Sequence, residues 1–307
     1  MKKKFCFFVA LAILASFNTP SSMVAKAADG EYYGMSIDEN NNIDYITYDE
    51  YHAYDNLSLN NEMYLPENVI ISQINNNLLP AAIIGDDNRT QISDSQYQMF
   101  PYSAICMVKG YFDTDGDGIA DTLYAGTGAI VGPKTVLSSP RLIYRSEYGW
   151  AIKTEVLPAT YKTSEDITVN PYGIIEDFTK LTVGMYHNTG DPNDAWAILD
   201  LATDIGSQTG YFGTNSTDIT LNSEIKLIGY CGDFNMNIAH TQGIVTHLET
   251  YKFYHNCDTG SGSMGSPLLF GMNMVGIHLG SIDTNNNSAC KISSYIVGWI
   301  NERLLEN

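Results

Sequence analysis

The stretch AICMVKGYFDTDGDGIADTLYAGTGAIVGPKTVLSS, Ala104 to Ser139, holds three short runs of β-branched, aromatic and small apolar residues, broken by an Asp- and Gly-filled turn and by Gly-Pro. The same texture returns downstream in LTVGMYH, AWAILDL, EIKLIGY, TQGIVTHLE, SPLLF and MVGIHLG. Strands every ten to twenty residues, with no helical period between them, indicate an all-β barrel or sandwich. One helix is expected, at the end. In SSYIVGWINERLLEN, Ser294 can cap, and Ile296, Ile300 and Leu304 follow at helical spacing.

Within the opening stretch, Asp113, Asp115, Asp117 and Asp121 surround Gly118 at the tip of a hairpin. Carboxylates at alternate positions can converge on one hard cation, and a glycine permits the sharp turn such a loop needs. The loop is not a complete EF-hand, because Tyr124 stands where a bidentate Glu would close the site. A structural Ca²⁺ is expected here, the alternative being a polar hairpin tip without metal.

Upstream, MKKKFCFFVALAILASF followed by VAKAADG has the charged start, apolar run and small-residue cleavage site of a secretory signal peptide, read as residues 1–27. Its removal takes four of the 16 basic residues and none of the 35 acidic ones, moving the formal charge from −19 to −23. Such a surface disfavours nucleic acid and anionic lipid as partners, and no later apolar run is long enough to span a bilayer. A secreted monomer is expected. Residues 28–82 are acidic and rich in Asn and Tyr, too polar to build a core of their own. They read as a propeptide or an acidic N-terminal extension, with the folded domain at 83–307. Without Cys6, four cysteines remain, Cys106, Cys231, Cys257 and Cys290, and an oxidising exterior allows three pairings.

The stretch CDTGSGSMGSPLLF, Cys257 to Phe270, resembles the nucleophile loop of secreted chymotrypsin-fold serine peptidases, specifically the V8-like glutamyl endopeptidases. Other segments resemble that family in the same order. IIGDDNRTQI looks like its mature N-terminus, and GTGAIVGPKTVLSSPRLIY the strands that deliver the catalytic His. NPYG, DAWAILDL and GYFG resemble the region of the catalytic Asp, and VGIHLG the strand behind the specificity pocket. The resemblance implies two six-stranded antiparallel β-barrels with a C-terminal helix. It also implies a Cys257–Cys290 bridge, leaving Cys106 and Cys231 as the other pair.

Carried over residue by residue, the Asp position falls on Asp194 and is retained, the His position falls on Arg141, and the Ser position falls on Met264. An imidazole titrating near neutrality takes the nucleophile's proton and returns it to the leaving amine. Arg stays protonated and cannot act as that base. A thioether has no proton to lose and does not accept an acyl group. Ser263 is the candidate for a relocated nucleophile, and Gly262 keeps one expected oxyanion donor. For substrate binding, the resemblance implies Thr259 and His278 as the pair that holds an acidic side chain. Three functions follow: a pseudoprotease that binds peptides or proteins with acidic residues, an active glutamyl-type endopeptidase using Ser263, or a non-catalytic structural or decoy protein.

Overall fold

The computed structural model describes residues 32–54, 60–67, 86–184, 195–216 and 219–306. The expected signal segment and Asp194 lie outside them. Among the described residues no helix is long and apolar enough to cross a membrane.

The three runs of the opening stretch are strands Ile105–Phe112, Thr122–Gly132 and Thr135–Ser138. The first two pair antiparallel in register from Ile105–Ala129 to Phe112–Thr122, so the acidic tip closes a long hairpin. Thr135–Ser138 is buried on both faces and pairs with Ala197–Leu201, which in turn pairs with Phe178–Gly184. Lys153–Pro158 flanks Ile105–Phe112 on the other side, and an isolated bridge between Val156 and Ile175 ties it to the chain just ahead of Phe178–Gly184, the other end of this six-strand circuit.

The second circuit closes completely. Its order is Pro267–Phe270, Glu224–Cys231, Asn237–Leu248, Lys252–His255, Asn287–Lys291 and Asn273–Ser281, with the last strand pairing back onto the first. Both circuits are antiparallel throughout, the two-barrel architecture expected from the sequence. The C-terminal helix, Ser294–Glu306, buries Tyr295, Ile296, Val297 and Ile300. Its cap is one residue earlier than expected: Ser293, not Ser294, accepts the Ile296 amide on its hydroxyl at 3.3 Å and the Val297 amide on its carbonyl at 3.1 Å.

Residues 32–54 and 60–67, inside the acidic extension, pack onto both barrels. Strand Tyr32–Asp38 adds to the edge of Phe178–Gly184 with five paired residues, and Ile43–Thr47 adds outside it. Asn60–Asn61 pairs with Gly213–Asn215 on the second sheet, and Tyr64 exchanges both backbone hydrogen bonds with Tyr211 at 3.0 and 3.1 Å. The physical reason is in the composition. Tyrosines supply apolar rings without needing a core of their own: Tyr51 is buried and stacks between Tyr33 and Tyr295, with ring centroids 5.1 and 4.8 Å away. Tyr54 lies against Gly298 of the helix and donates to Glu302. The acidic residues beside them stay on the solvent side.

Candidate active site

The Met264 loop sits on the seam between the barrels. The Met264 carbonyl accepts the Thr127 amide from the first barrel at 2.8 Å, and the Thr127 hydroxyl donates to the Gly262 carbonyl at 2.9 Å. On the other side Gly265 donates to the His278 carbonyl and the His278 amide to the Ser266 carbonyl, each at 2.9 Å. Gly265 has φ +87, and a side chain there would begin 2.1 Å from the Thr127 carbonyl oxygen, so the turn requires glycine.

Arg141 lies in the 3-10 turn Pro140–Leu142, directly after Thr135–Ser138. The turn is fixed by its buried Leu142 and Ile143 and by the Ile143 amide bonded to the Pro140 carbonyl at 3.0 Å. This turn and the Met264 loop meet over Gly126. A Cβ built on Gly126 would lie 2.7 Å from the Met264 carbonyl oxygen and 2.8 Å from Leu142 Cδ1. The fold therefore brings the elements carrying Arg141 and Met264 together, and both side chains are half-buried.

Ser263 is placed differently. Its side chain is fully buried, its hydroxyl accepts the Gly260 amide at 3.0 Å and donates to the Tyr230 carbonyl at 3.4 Å, and the Cys231 sulfur lies 3.6 Å away. Gly262, with φ +93, packs against Met236 and holds the bend before Met264.

His278 is 2 % exposed, and its Nδ1 faces Nε2 of the fully buried His255 at 3.3 Å. Burial pushes His278 down to about 4 and His255 well below the ordinary imidazole range, His255 also feeling the neighbouring ring. Both are therefore neutral at ordinary pH. Thr259 is half-buried and its hydroxyl donates to Asn287 Oδ1 at 3.4 Å, while Asn287 in turn donates to the Cys257 carbonyl. A cleft of about 400 Å³ opens beside the Arg141 turn, lined also by Ala195, Lys252, Tyr254, Ser281 and Ser288.

No family model matches the chain. A glutamyl endopeptidase of Bacillus licheniformis is 30% identical over 193 residues, covering 61% of this chain and 54% of that protein. An extracellular metalloprotease of Bacillus subtilis is 26% identical over 223 residues, covering 71% and 67%. Among solved structures, a Glu endopeptidase in complex with MPD superposes with a TM-score of 0.59 at 25% identity, covering 73% of this chain and 100% of that one. The chain is similar to the V8-like glutamyl endopeptidases and shares their chymotrypsin-like two-barrel fold. It spans about half the length of the first of these relatives.

Two further expectations concern the acidic hairpin tip and the cysteines. Asp113, Asp115 and Asp117 offer carboxylate oxygens within 4.8 Å of one another. Asp121 stands apart from that group, its Oδ2 accepting the Thr114 amide at 2.8 Å and hydroxyl at 2.9 Å. Three of the four acids thus fit a cation, with Asp113 also bonded to the Gly116 and Gly118 amides at 2.6 and 2.7 Å.

The expected disulfides are not formed. No bridge joins the four buried cysteines. Cys257 belongs to a small cluster with Ile225, Leu227 and Leu268, whereas Cys290 packs into the main core, so the two side chains enter different apolar regions. Cys106 lies on a first-barrel strand opposite Gly128, and Cys231 on a second-barrel strand opposite Asn237.

Sequence reasoning missed Lys252 and Tyr254 at the cleft and His255 as the partner of His278. The signal was present in KFYH: alternation along a strand sends Lys252 and Tyr254 to one face and Phe253 and His255 to the other, the second pair being the buried one.

Proposed function

We propose that this protein is a secreted, non-catalytic member of the peptidase fold that binds peptides carrying acidic side chains in the retained cleft. What supports the reading is that the Met264 loop meets the Pro140–Leu142 turn over Gly126, and that where the family resemblance would put a nucleophile and a base these two elements carry Met264 and Arg141. Neither supplies a proton acceptor near neutrality or an attacking oxygen. Loss of such groups in a triad costs on the order of a million-fold in kcat.

Ser263 does not restore the chemistry on this reading. Its hydroxyl is sealed behind the loop and committed to backbone groups, while His255 and His278 are held inside the second barrel. The names of the relatives, which include an extracellular protease and a glutamyl endopeptidase, support export and an acidic ligand.

The test uses purified protein, a fluorophosphonate probe and a library of Glu-containing peptides, with and without Ca²⁺. Binding without cleavage and without labelling is the expected result. Hydrolysis by homogeneous protein, abolished together with labelling by Ser263→Ala, establishes the active-enzyme reading instead. No peptide binding at all leaves the fold retained for a structural or decoy role.

A further inference from the structure

The stretch DDNRTQ, Asp86 to Gln91, holds one basic residue beside two acids, and the fold turns that residue inward. Thr90 and Gln91 pair with His240 and Ala239 on the second barrel, and the Asn88 amide donates to Asp258 at 2.9 Å. The segment is thus pinned on both sides of Arg89, whose side chain is only 9% exposed. Arg89 Nε and Nη2 donate to the two Asp87 oxygens at 2.9 and 2.8 Å. Its Nη1 donates to Asp233 Oδ1 at 3.0 Å, and Nη2 also reaches Asp233 Oδ2. The guanidinium carbon lies 4.9 Å from the centroid of the Phe234 ring. Burying a cation is costly unless its donors are met, and two forked carboxylates meet these. Hydrogen bonds from Arg89 hold both carboxyls below the usual range.

This ion pair presses against the loop that ends in Met264. A Cβ built on Gly260 would clash with Arg89 Nη1 and lie 2.9 Å from Asp233 Oδ1, so the guanidinium rests directly on the backbone there. The loop that follows closes on itself: the Gly260 amide donates to the Ser263 hydroxyl at 3.0 Å, and the Ser263 amide to the Gly260 carbonyl at 3.1 Å. The Ser261 carbonyl accepts the amide of Gly232, next to Asp233 in the chain. One residue past Met264, the Gly265 amide donates to the His278 carbonyl, and the residues after His278, Leu279, Gly280 and Ser281, line the cleft. Few bonds separate Gly260 from the cleft wall.

We propose that Arg89 is the positioning residue for the Met264 loop, and that through it segment 86–91 sets the shape of the cleft, given the peptide-binding reading on which this role rests. The guanidinium reaches the loop from within the chain and keeps its charge at any ordinary pH. No freed chain end is needed, so the loop is held alike whether residues 68–85 are intact or cut.

The experiment reads two quantities on the full chain: hydrogen exchange at the Ser263 and Gly265 amides, and calorimetric affinity for a capped Glu-containing peptide. Arg89→Met speeds exchange at both amides and weakens peptide binding, each by at least about tenfold. Arg89→Lys, which keeps the charge but loses the fork, changes both by less and carries the comparison should Arg89→Met fail to fold. Tyr51→Ala, a buried change in the N-terminal extension, lowers the melting temperature and leaves both quantities unchanged. A cut engineered within 68–85 leaves them unchanged as well.

A fall in melting temperature with exchange and affinity untouched makes Arg89 a plain anchor and overturns the proposal. So does an equal loss of affinity in Tyr51→Ala, the mark of general destabilisation. Affinity that appears only after the cut assigns the loop to a new chain end and also overturns it. If the natural chain binds no peptide, the peptide-binding reading fails, and exchange at Ser263 and Gly265 still decides whether Arg89 holds the loop.

Discussion

His278 Nδ1 and His255 Nε2 stand 3.3 Å apart inside the second barrel, with both rings out of reach of solvent. At that separation one neutral ring can donate to the other, and the remaining nitrogen of His255, Nδ1, has no hydrogen-bonding partner among the described residues. A charge placed on either ring would be poorly solvated and would repel charge on the other.

Acid should therefore destabilise the protein before its carboxylates titrate. The unfolded chain binds these protons near pH 6.5, whereas burial holds His278 down to about 4 and lowers His255 and His240 as well. The folded state holds fewer protons through that window, so stability is complete above about pH 6.5 and falls as the pH drops toward 4. The His278 contribution alone is on the order of 3 kcal/mol. Asp87 and Asp233, hydrogen-bonded to Arg89, are held below their ordinary value and act at lower pH. Urea unfolding between pH 4 and 8 should show this slope, and His278→Asn should flatten it.

The peptidase machinery should be recoverable by reversal. Arg141→His combined with Met264→Ser puts a base and a hydroxyl back on elements that already meet over Gly126. The double variant should gain fluorophosphonate labelling that the natural chain and the natural chain with Ser263→Ala both lack. A double variant that folds but stays unlabelled would show that the seam has diverged beyond its two side chains.

Residues 32–54 and 60–67 should behave as part of the folded body. A protease site engineered within 68–85 and cut should leave two pieces that elute together on gel filtration and separate only in denaturant. Tyr51→Ala, which removes a buried ring stacked on Tyr295, should cost about 2–4 kcal/mol. Release of the N-terminal piece from a still-folded body would identify it as a leaving propeptide.

Gly265→Ala should be among the most damaging small changes. The substitution meets both the left-handed backbone and the Thr127 carbonyl, for a loss of at least about 2–3 kcal/mol. Thermal unfolding should shift down by roughly 5–10 °C.

At the hairpin tip, millimolar Ca²⁺ should raise the melting temperature by a few degrees, and Asp115→Asn should abolish the effect. The Asp117 amide lowers the Asp115 carboxyl, but the charges of Asp117, Asp121 and Asp113 outweigh it and raise the group overall. A cation would relieve that repulsion. Identical melting curves with Ca²⁺ and with chelator would leave the tip as a polar turn.

What could be read along the chain were properties that repeat locally or belong to a residue type. Strand spacing in residues 104–139 announced an all-β fold, and the order of loop motifs located the seam. The identities of Arg141 and Met264 carried their chemical consequences without any coordinates, since neither side chain has a neutral-pH base or a nucleophilic oxygen to offer in any setting. The acidic, tyrosine-rich segment reads as material with no core of its own, but composition does not say that its rings pack against the barrels. Pairing across 150 residues of chain, as between Gly34 and Gly184, leaves no local trace.

Tertiary structure alone decided which distant side chains share a space. It set His255 against His278, joined Lys252 to the Arg141 cleft, sealed the Ser263 hydroxyl and sent Cys257 and Cys290 into separate apolar regions. Each of these depends on register between strands far apart in sequence, where a shift of one residue turns a side chain from the core to the surface.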